Sequence, residues 1–402
     1  MMLGLLLARA GVRVTVLEKH ADFLRDFRGD TVHPSTLEVM HELGLLESFL
    51  ARPHDKARDV RVTIAGREAV VADFSRLNTR CGFIAMVPQW EFLDFLRDEA
   101  ERYPGFQLLT QAQALGVVEE GGRVVGLRAG TPDGEVLIRA DLVIGADGRR
   151  STVREAAGLV VRNLGAPIDV LWMRVSKQSG DPSGSGGRIG TGRFLATIDR
   201  GSYWQCAYVI HKGGIESIQA AGIEAFRARL VALMPVFADR IDAQLASWDD
   251  VKLLSVAVDR LEQWWKPGLL CIGDAAHAMS PIGGVGINLA IQDAVAAANL
   301  LAAPLADPAV MAEGLTPWLA QVQARRMFPT RITQAVQVAA QNRLINPLLD
   351  STQEPRMPLA LKLLQWLPAL QAIPAYAVGI GARAEHVRSP AVAAPLPAAS
   401  PP

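Results

Sequence analysis

Two short apolar strands run into turns of glycine and aspartate, and these turns restrict the fold more than any other feature. The first strand, at 141–145, leads into the GADG turn at 145–148. Glycine lets the backbone approach a ligand closely, and the nearby Arg149 and Arg154 favour an anionic group. An ordinary strand–turn–helix junction, with Ser151 as the helix cap, explains the same residues equally well.

The second strand, at 269–273, ends in the pair Gly273-Asp274. An aspartate at a strand end can accept hydrogen bonds from sugar hydroxyl groups. Pro281 and the GGVG segment at 283–286 then lead into an Ala-rich helix. The first amides of a helix can stabilise negative charge on a ligand. This segment is therefore a second candidate binding turn.

The histidines and cysteines provide weaker signals. His277 invites a catalytic interpretation, but a structural role in packing or hydrogen bonding is favoured. Cys271 lies in an apolar strand and is expected to be inert core. Together with Cys81 and Cys206 it forms neither a disulfide framework nor a CxxC pattern, which indicates a reducing compartment. The seven histidines show no metal-ligand spacing, so no metal site is expected.

The chain begins with a helix, a glycine, a strand and an acid. An apolar helix stops at Gly11, and the short β-branched strand at 13–18 ends in Glu18. In a dinucleotide-binding βαβ unit, an acid at this strand tip accepts hydrogen bonds from ribose hydroxyls. On its own this feature is weak evidence for dinucleotide binding.

The next helix is expected to begin with a capping box formed by Ser35 and Glu38.

The middle of the chain, 169–258, changes to candidate strands with one helix. The segment 180–192 holds six glycines in 13 residues, lacks the ending of a P-loop and is interpreted as a flexible hairpin loop. Strand alternation places Tyr203 and Gln205 on one side and Trp204 on the other, with Cys206. Plain core or surface positions are the favoured interpretation of these side chains. No catalytic role is assigned to the candidates for a substrate face in this region: Trp172, Tyr203, Trp204, Gln205, Tyr208 and His211.

Composition argues against two classes of protein, although it does not exclude a local basic patch. Lysine plus arginine and aspartate plus glutamate both number 41, so no strong positive field is available for nucleic acid. The longest apolar stretch, 359–381, is interrupted by Lys362 and prolines, so no integral membrane association is expected. That stretch is interpreted as a helix packed over a domain interface, in preference to a helix on a membrane surface. A cytoplasmic monomer or homodimer is expected.

Five segments in this order resemble the FAD-dependent aromatic hydroxylases, the class A flavoprotein monooxygenases with the para-hydroxybenzoate hydroxylase fold. The resemblance covers about residues 1–330. Each segment alone is moderately specific, whereas the ordered set is strongly so. The segments are VTVLEK with Glu18, RGDTVHPSTLEVMHELGL from Arg28, VPQWEFLDFL with Gln89, GADGRRSTVR, and CIGDAAHAMSPIGGVGINLAIQDA.

The resemblance implies FAD as cofactor and NAD(P)H as cosubstrate. It assigns no side-chain nucleophile, and it implies that Pro281, Gly284 and Gly286 form the environment of the flavin ring. The implied cofactor-binding residues are Glu18 at the adenosine ribose, Arg28 at the pyrophosphate, Gln89 along the ribityl side, Asp147 and Gly148 in a motif that serves both FAD and NAD(P)H, Gly273 and Asp274 at the ribityl chain, and Pro281, Gly284, Val285, Gly286, Ile287 and Asn288 against the isoalloxazine.

The fold implied by the resemblance is α/β. A Rossmann-like FAD-binding domain of the GR2 type is interleaved with a mostly antiparallel β-sheet substrate domain, and C-terminal helices follow. The expected boundaries are 1–60, 80–165 and 259–340 for the FAD-binding domain, 61–79 and 166–258 for the substrate domain, 341–388 for the C-terminal helical segment, and 389–402 for a disordered tail.

The implied reaction uses NAD(P)H and O₂ to hydroxylate an aromatic or polyketide-like small molecule through a flavin C4a-hydroperoxide. Other FAD-dependent oxidoreductases of this fold, such as ene-reductases and prenyl-lipid hydroxylases, remain open, as does a non-catalytic chain without FAD. The family begins with a strand and a GxGxxG loop, and this chain begins inside the following helix. We therefore expect weaker FAD binding and lower stability than in a chain read from further upstream.

Overall fold

The structure, a computed structural model, describes residues 1–24, 31–182 and 184–392 and has an α/β fold. Within these ranges the α-helices are α1 (Met2–Arg9), α2 (Pro34–Glu42), α3 (Leu46–Leu50), α4 (Gln89–Ala100), α5 (Thr152–Ala156), α6 (Ile215–Ala220), α7 (Ile223–Leu233), α8 (Ile241–Gln244), α9 (Gly286–Ala306), α10 (Pro308–Glu313), α11 (Thr316–Ala340), α12 (Asn346–Leu349), α13 (Leu359–Trp366) and α14 (Ala372–Gly379).

The strands alternate with these helices along the chain. They are β1 (Val14–Leu17), β2 (Thr31–Val32), β3 (Asp55–Ala57), β4 (Asp59–Ile64), β5 (Arg67–Asp73), β6 (Ile84–Met86), β7 (Phe106–Leu109), β8 (Gln113–Glu120), β9 (Arg123–Thr131), β10 (Gly134–Arg139), β11 (Val143–Gly145), β12 (Val161–Asn163), β13 (Ile168–Ser176), β14 (Gly186–Gly190), β15 (Arg193–Asp199), β16 (Tyr203–His211), β17 (Lys252–Leu254), β18 (Asp259–Leu261), β19 (Trp265–Lys266) and β20 (Leu269–Cys271).

Two pairs of parallel strands organise the part of the fold that contains helices α1 and α9. Strand β1 pairs with β7, and β11 pairs with β20 with Val143 opposite Leu269. Helix α1 contacts β1, α4 and α9, and it is buried because its sequence is apolar on every side except at Arg9. A side chain at Gly4 would lie 2.9 Å from both the Phe106 ring and Val16, so glycine permits this close helix–strand packing.

A seven-stranded sheet forms the second part of the molecule, in the order β17-β13-β16-β15-β14-β4-β5. Only β4 and β14 pair in parallel; the other neighbours are antiparallel. The interpretation of 180–192 as a hairpin loop is wrong for 186–190, which form β14. Glycine is needed there because a side chain at Gly187 would lie 3.0 Å from the Phe194 ring.

The two faces of this sheet have different coverings. One face packs against α6, α7 and α8 in a core that contains Trp204, Tyr208 and Phe226. The opposite face forms a separate apolar cluster with the segment around Ile282 and Ile345. One face therefore packs against helices of the middle segment, and the other packs against the segments that precede α9 and follow α11.

The C-terminal part packs against both the α9 core and the seven-stranded sheet. Helix α9 lies in the core; the segment Ile282–Ala306 is the one described helical stretch apolar and long enough to cross a membrane, and most of it is buried within the fold. Helices α13 and α14 pack against β5, an edge strand.

Residues 389–392 belong to the tail for which the sequence predicts disorder, but Ser389 N donates to Asn299 Oδ1 and Val392 N donates to Arg9 O. The remainder of that tail lies outside the described residues.

The predicted capping box at the start of α2 is wrong. The helix begins at Pro34 with His33 in the cap position and without a side-chain cap. Ser35 instead donates to Asn288 Oδ1 at 2.8 Å, and Glu38 Oε1 accepts from the Arg80 backbone amide at 2.6 Å. Tertiary partners have therefore replaced the local hydrogen bonds on which the capping box depends.

Candidate cofactor and substrate site

The two glycine–aspartate turns meet at one edge of the sheet. Strands β11 and β20 are parallel neighbours, so their carboxyl ends lie side by side. Ile272 N donates to Gly145 O at 2.9 Å, and Arg149 Nη2 lies 3.8 Å from Asp274 Oδ2. A bound group at this edge can therefore contact both turns at once.

Asp147 has a structural task within the first turn. Its Oδ1 accepts from Ser151 Oγ, and its Oδ2 accepts from Val153 N at 3.1 Å, which anchors the start of α5. Gly148 has a φ of 86°, and a side chain built on it would meet no atom within 4 Å. The turn thus combines an ordinary helix start with an open, left-handed glycine that faces free space.

A buried carboxylate fixes the second turn. Asp293 Oδ2 accepts from Gly273 N at 3.0 Å and from His277 Nε2 at 2.5 Å, and its Oδ1 accepts from Arg326 Nε at 2.9 Å. Burial by itself would raise the pKa of Asp293, but the charges and hydrogen bonds of His277 and Arg326 outweigh it and lower the pKa. His277 therefore has the structural role that the sequence favoured, and Asp274 is displayed on a rigid turn.

Three glutamines, two on α11 and Gln341 directly after it, hold the loop that follows. Gln334 Nε2 donates to Ala278 O, Gln337 Nε2 donates to both Ser280 O and Ile282 O, and Gln341 Nε2 donates to Ser280 Oγ. All three glutamines are buried. The backbone next to Pro281 is therefore fixed by side chains from outside the loop.

The loop ends in two left-handed glycines, Gly283 and Gly284, with φ values of 79° and 62°. Thr31 Oγ1 donates to Gly284 O at 3.1 Å, and a side chain built at Gly284 would lie 2.8 Å from Thr31 Oγ1. Glycine is therefore required at 284 both for the backbone conformation and for the contact with Thr31.

Helix α9 begins immediately after these glycines. Val285 occupies the cap position without a side-chain hydrogen bond, and the nearest atom to a side chain built at Gly286 would be Asp274 Oδ1 at 4.0 Å. The Asn288 carboxamide points elsewhere, since its Oδ1 accepts from Ser35 and Thr36. The helix start thus presents uncapped backbone amides beside a carboxylate, which fits the anionic side of a flavin ring and its hydroxylated chain.

The other predicted cofactor residues lie on separate elements. Glu18 follows β1, where its Oε1 accepts from His20 N and its charge acts on the buried amino group of Met1. Gln89 is the first residue of α4 and is partly buried. The contacts that join the two turns involve neither residue. Arg28 lies outside the described residues.

A basic cleft of about 610 Å³ adjoins the first turn, and its lining includes Arg149, Arg150 and Arg154. Arg154 is tied to the framework because its guanidinium donates to Arg149 O and Ala275 O. Arg150 is exposed. The cleft therefore offers positive charge directly beside the glycine–aspartate edge.

The face of the seven-stranded sheet opposite the helices α6, α7 and α8 reaches the same loop. Trp172, Phe194 and Ala207 belong to one apolar cluster with Ile282, which is the neighbour of Pro281. The Trp172 Nε1 atom is buried and has no hydrogen-bond partner among the described residues. Of the predicted substrate-face residues, Trp204 and Tyr208 lie instead in the helix-covered core.

Sequence reasoning missed several residues that build the site. Asp293 had a usable signal, because it is the one charged residue in the sequence of α9. The glutamines Gln334, Gln337 and Gln341 also had one, since spacings of three and four place them on one helix face. Thr31 carried no signal, because only the tertiary fold brings it to Gly284.

Comparisons with known proteins agree with this arrangement. A family model described as "FAD binding domain" matches residues 1–315. The 6-methylpretetramide 4-monooxygenase of Streptomyces rimosus is 36% identical over 303 residues, which are 74% of this chain and 72% of that protein. Rifampicin monooxygenase of Streptomyces venezuelae is 30% identical over 302 residues, and this match spans 71% of this chain but only 58% of that enzyme.

Solved structures show the same fold. The p-nitrophenol 4-monooxygenase of Pseudomonas putida superposes with a TM-score of 0.68 at 19% identity, and the match covers 94% of this chain and 90% of that one. The anhydrotetracycline hydroxylase of Streptomyces rimosus gives 0.67 at 22% identity, and it covers 94% of this chain and 73% of that one. The chain belongs to the FAD-binding-domain family, among the class A FAD-dependent aromatic hydroxylases.

Proposed function

We propose that this protein is a monooxygenase that uses NAD(P)H and O₂ to hydroxylate an aromatic or polyketide-like small molecule. The observation that carries this proposal is that three features lie next to one another. They are the two glycine–aspartate turns, the uncapped start of α9, and an apolar sheet face that contacts Ile282 in the loop between the second turn and α9. When bound, FAD supplies the redox chemistry, and the protein binds and orients the reactants.

On the cofactor side, Asp274 and the amides at the start of α9 have separate tasks. The Asp274 carboxylate accepts hydrogen bonds from the hydroxylated chain, while Arg149 at 3.8 Å stabilises its charge. The amides around Gly286 stabilise negative charge on the ring. Gly286, where a built side chain would meet no atom nearer than Asp274 Oδ1 at 4.0 Å, leaves room for a flat group to approach. Asp147 acts indirectly, by holding α5 against the turn.

On the substrate side, the proposal rests on the sheet face around Trp172. Phe194 and Ala207 supply apolar surface, and the unpartnered Trp172 Nε1 supplies one hydrogen-bond donor. A phenol or quinone oxygen that accepts this hydrogen bond would orient an aromatic ring against the sheet. An apolar wall of this kind also excludes water from the reaction.

The basic cleft beside the first turn is the proposed site for the phosphates of the electron donor. Arg150 is exposed at its rim, whereas Arg154 is occupied by backbone carbonyls. We expect Arg150→Ala to raise the KM for NADPH by ~10-fold, because a charge-assisted hydrogen bond is lost.

We propose a cytoplasmic location for the enzyme, because all three cysteines are free and buried.

The test is turnover with isotopically labelled O₂. The protein is supplied with FAD and NAD(P)H and screened against phenols and polyketide-like aromatics, with trapping of peroxide to detect uncoupled turnover. Substrate-stimulated NAD(P)H oxidation with one labelled oxygen atom in the product supports the proposal. Reduction of the substrate without incorporation of the label favours an ene-reductase, and protein that takes up no FAD favours a non-catalytic chain.

Paired variants separate the two sides of the site. Asp274→Ala is expected to weaken FAD binding by ~10-fold or more, whereas Asp242→Ala, at a mostly exposed aspartate on the far side of the sheet, leaves it unchanged. Trp172→Phe keeps the ring but removes the N–H, so it raises substrate KM and leaves FAD affinity unchanged. Trp248→Phe, in the helix-covered core, serves as its control.

A further inference from the structure

The C-terminal helices display an unusually apolar outer surface. Leu359, Leu363 and Trp366 follow the i, i+4, i+7 spacing of one face of α13, and Ile373 and Tyr376 lie three residues apart on α14. All five are exposed; Leu359 retains 80% of its accessible surface and Trp366 retains 77%. Grouped exposed aromatic and aliphatic side chains mark an interaction surface.

The inner faces of the same helices are committed to the fold. Leu361 packs in an apolar cluster with Val62 and Ile64, and the Gln365 side chain exchanges two hydrogen bonds with the Val70 backbone on edge strand β5. Ala375, on the inner face of α14, is fully buried. Because both helices pack against β5, their outer faces point away from the same sheet edge.

Charge distinguishes between possible partners for this surface. Arg356, Lys362 and Arg383 are exposed, and no aspartate or glutamate occurs between residues 355 and 384. The apolar face therefore lies in a segment whose charged groups are all positive. A two-fold contact between two copies of the chain would bring these positive groups together, which opposes dimerisation through this face.

We propose that this face, formed by the outer surfaces of α13 and α14, adsorbs to an anionic lipid surface. Leucine, isoleucine and tryptophan side chains of an amphipathic helix enter the boundary between headgroups and acyl chains. Arginine and lysine beside them are attracted to anionic headgroups. The association is peripheral, because the apolar face belongs to short helices that lie along the sheet edge.

The test is co-sedimentation of the full chain with vesicles of phosphatidylcholine, either alone or mixed with phosphatidylglycerol. The expected result is binding to the anionic vesicles and little binding to the neutral ones. Leu363→Gln with Trp366→Gln should lower the vesicle partition coefficient at least ~10-fold, since two large apolar side chains no longer leave water. Arg356→Gln with Lys362→Gln should remove the preference for anionic vesicles.

Leu137→Gln is the matched control, because Leu137 is an exposed leucine on strand β10 outside this surface. It should bind vesicles as the parent does, and circular dichroism should show that every variant is folded. Binding that is absent, or equal for the Leu363/Trp366 variant and the parent, overturns the proposal. A concentration-dependent dimer that dissociates in the Leu363/Trp366 variant and does not bind vesicles assigns the face to self-association and also overturns it.

Discussion

Replacement of Asp293 by asparagine tests the physical reasoning about the second turn most directly. The change keeps the side-chain volume but removes a fully buried charge that accepts hydrogen bonds from Gly273 N, His277 and Arg326. Loss of one partner of a buried ion pair costs about 3–5 kcal/mol. We expect Asp293→Asn to lower the free energy of unfolding by about 3 kcal/mol, at the lower end of that range. The reason is that Arg326 keeps a second carboxylate partner, since Glu385 Oε1 lies 3.2 Å from Arg326 Nη1.

The assay is urea unfolding of Asp293→Asn beside the parent, with Asp242→Asn as the control. Asp242 is mostly exposed, so its variant should stay within about 0.5 kcal/mol of the parent. Since the pKa of Asp293 is lowered by folding, its contribution is present above the unfolded value of 3.8 and is lost as the pH falls through the lower folded-state pKa. A loss below 1 kcal/mol for Asp293→Asn at neutral pH would refute the argument that this carboxylate anchors the turn.

Three further predictions follow from neighbouring groups. Gly284→Ala should lower the melting temperature and FAD affinity more than Gly201→Ala does, because both positions have positive φ but only 284 also meets Thr31; equal effects would contradict the steric argument. Burial lowers the pKa of His33 to about 4. The free energy of unfolding should therefore fall by on the order of 3 kcal/mol between pH 6.5 and 4, because only the unfolded chain takes up the proton in this range. In unfolding experiments at several pH values, His33→Gln should flatten this dependence. Burial raises the pKa of Cys271 to about 12, so a thiol reagent should label it only after denaturation, and rapid native labelling would contradict its burial.

The two strand-end turns could be predicted from the sequence because their signals are local. Short apolar strands, glycines and a following Ala-rich helix specify a strand–turn–helix unit wherever they occur. The parallel pairing of β11 with β20 then brings Asp274 within reach of Arg149. Local patterning was therefore sufficient to predict the two turns, whereas their meeting at one edge depends on the pairing of strands that are distant in the sequence.

Features that depend on distant partners were not predictable in this way. Glycines at 186–190 look like a flexible loop, but the Phe194 ring and strand β4 make them an interior strand. Ser35 and Glu38 match a capping box, yet Asn288 and the Arg80 amide compete successfully for their side chains. In each instance a tertiary contact more than six residues away determined the outcome.

The two coverings of the seven-stranded sheet have a consequence for protein engineering. Along β13 and β16, alternate residues belong to separate packing environments: Trp172 and Ala207 face Ile282, whereas Leu171 and Tyr208 contact the helices on the other side. Of the first set, Trp172 is partly exposed, whereas Ala207 is itself buried in its apolar cluster, so a randomised library that is meant to keep the scaffold intact should vary 172 and leave 207 unchanged. Under the proposed function, substrate selectivity and folding stability would thus depend on interleaved positions of the same strands.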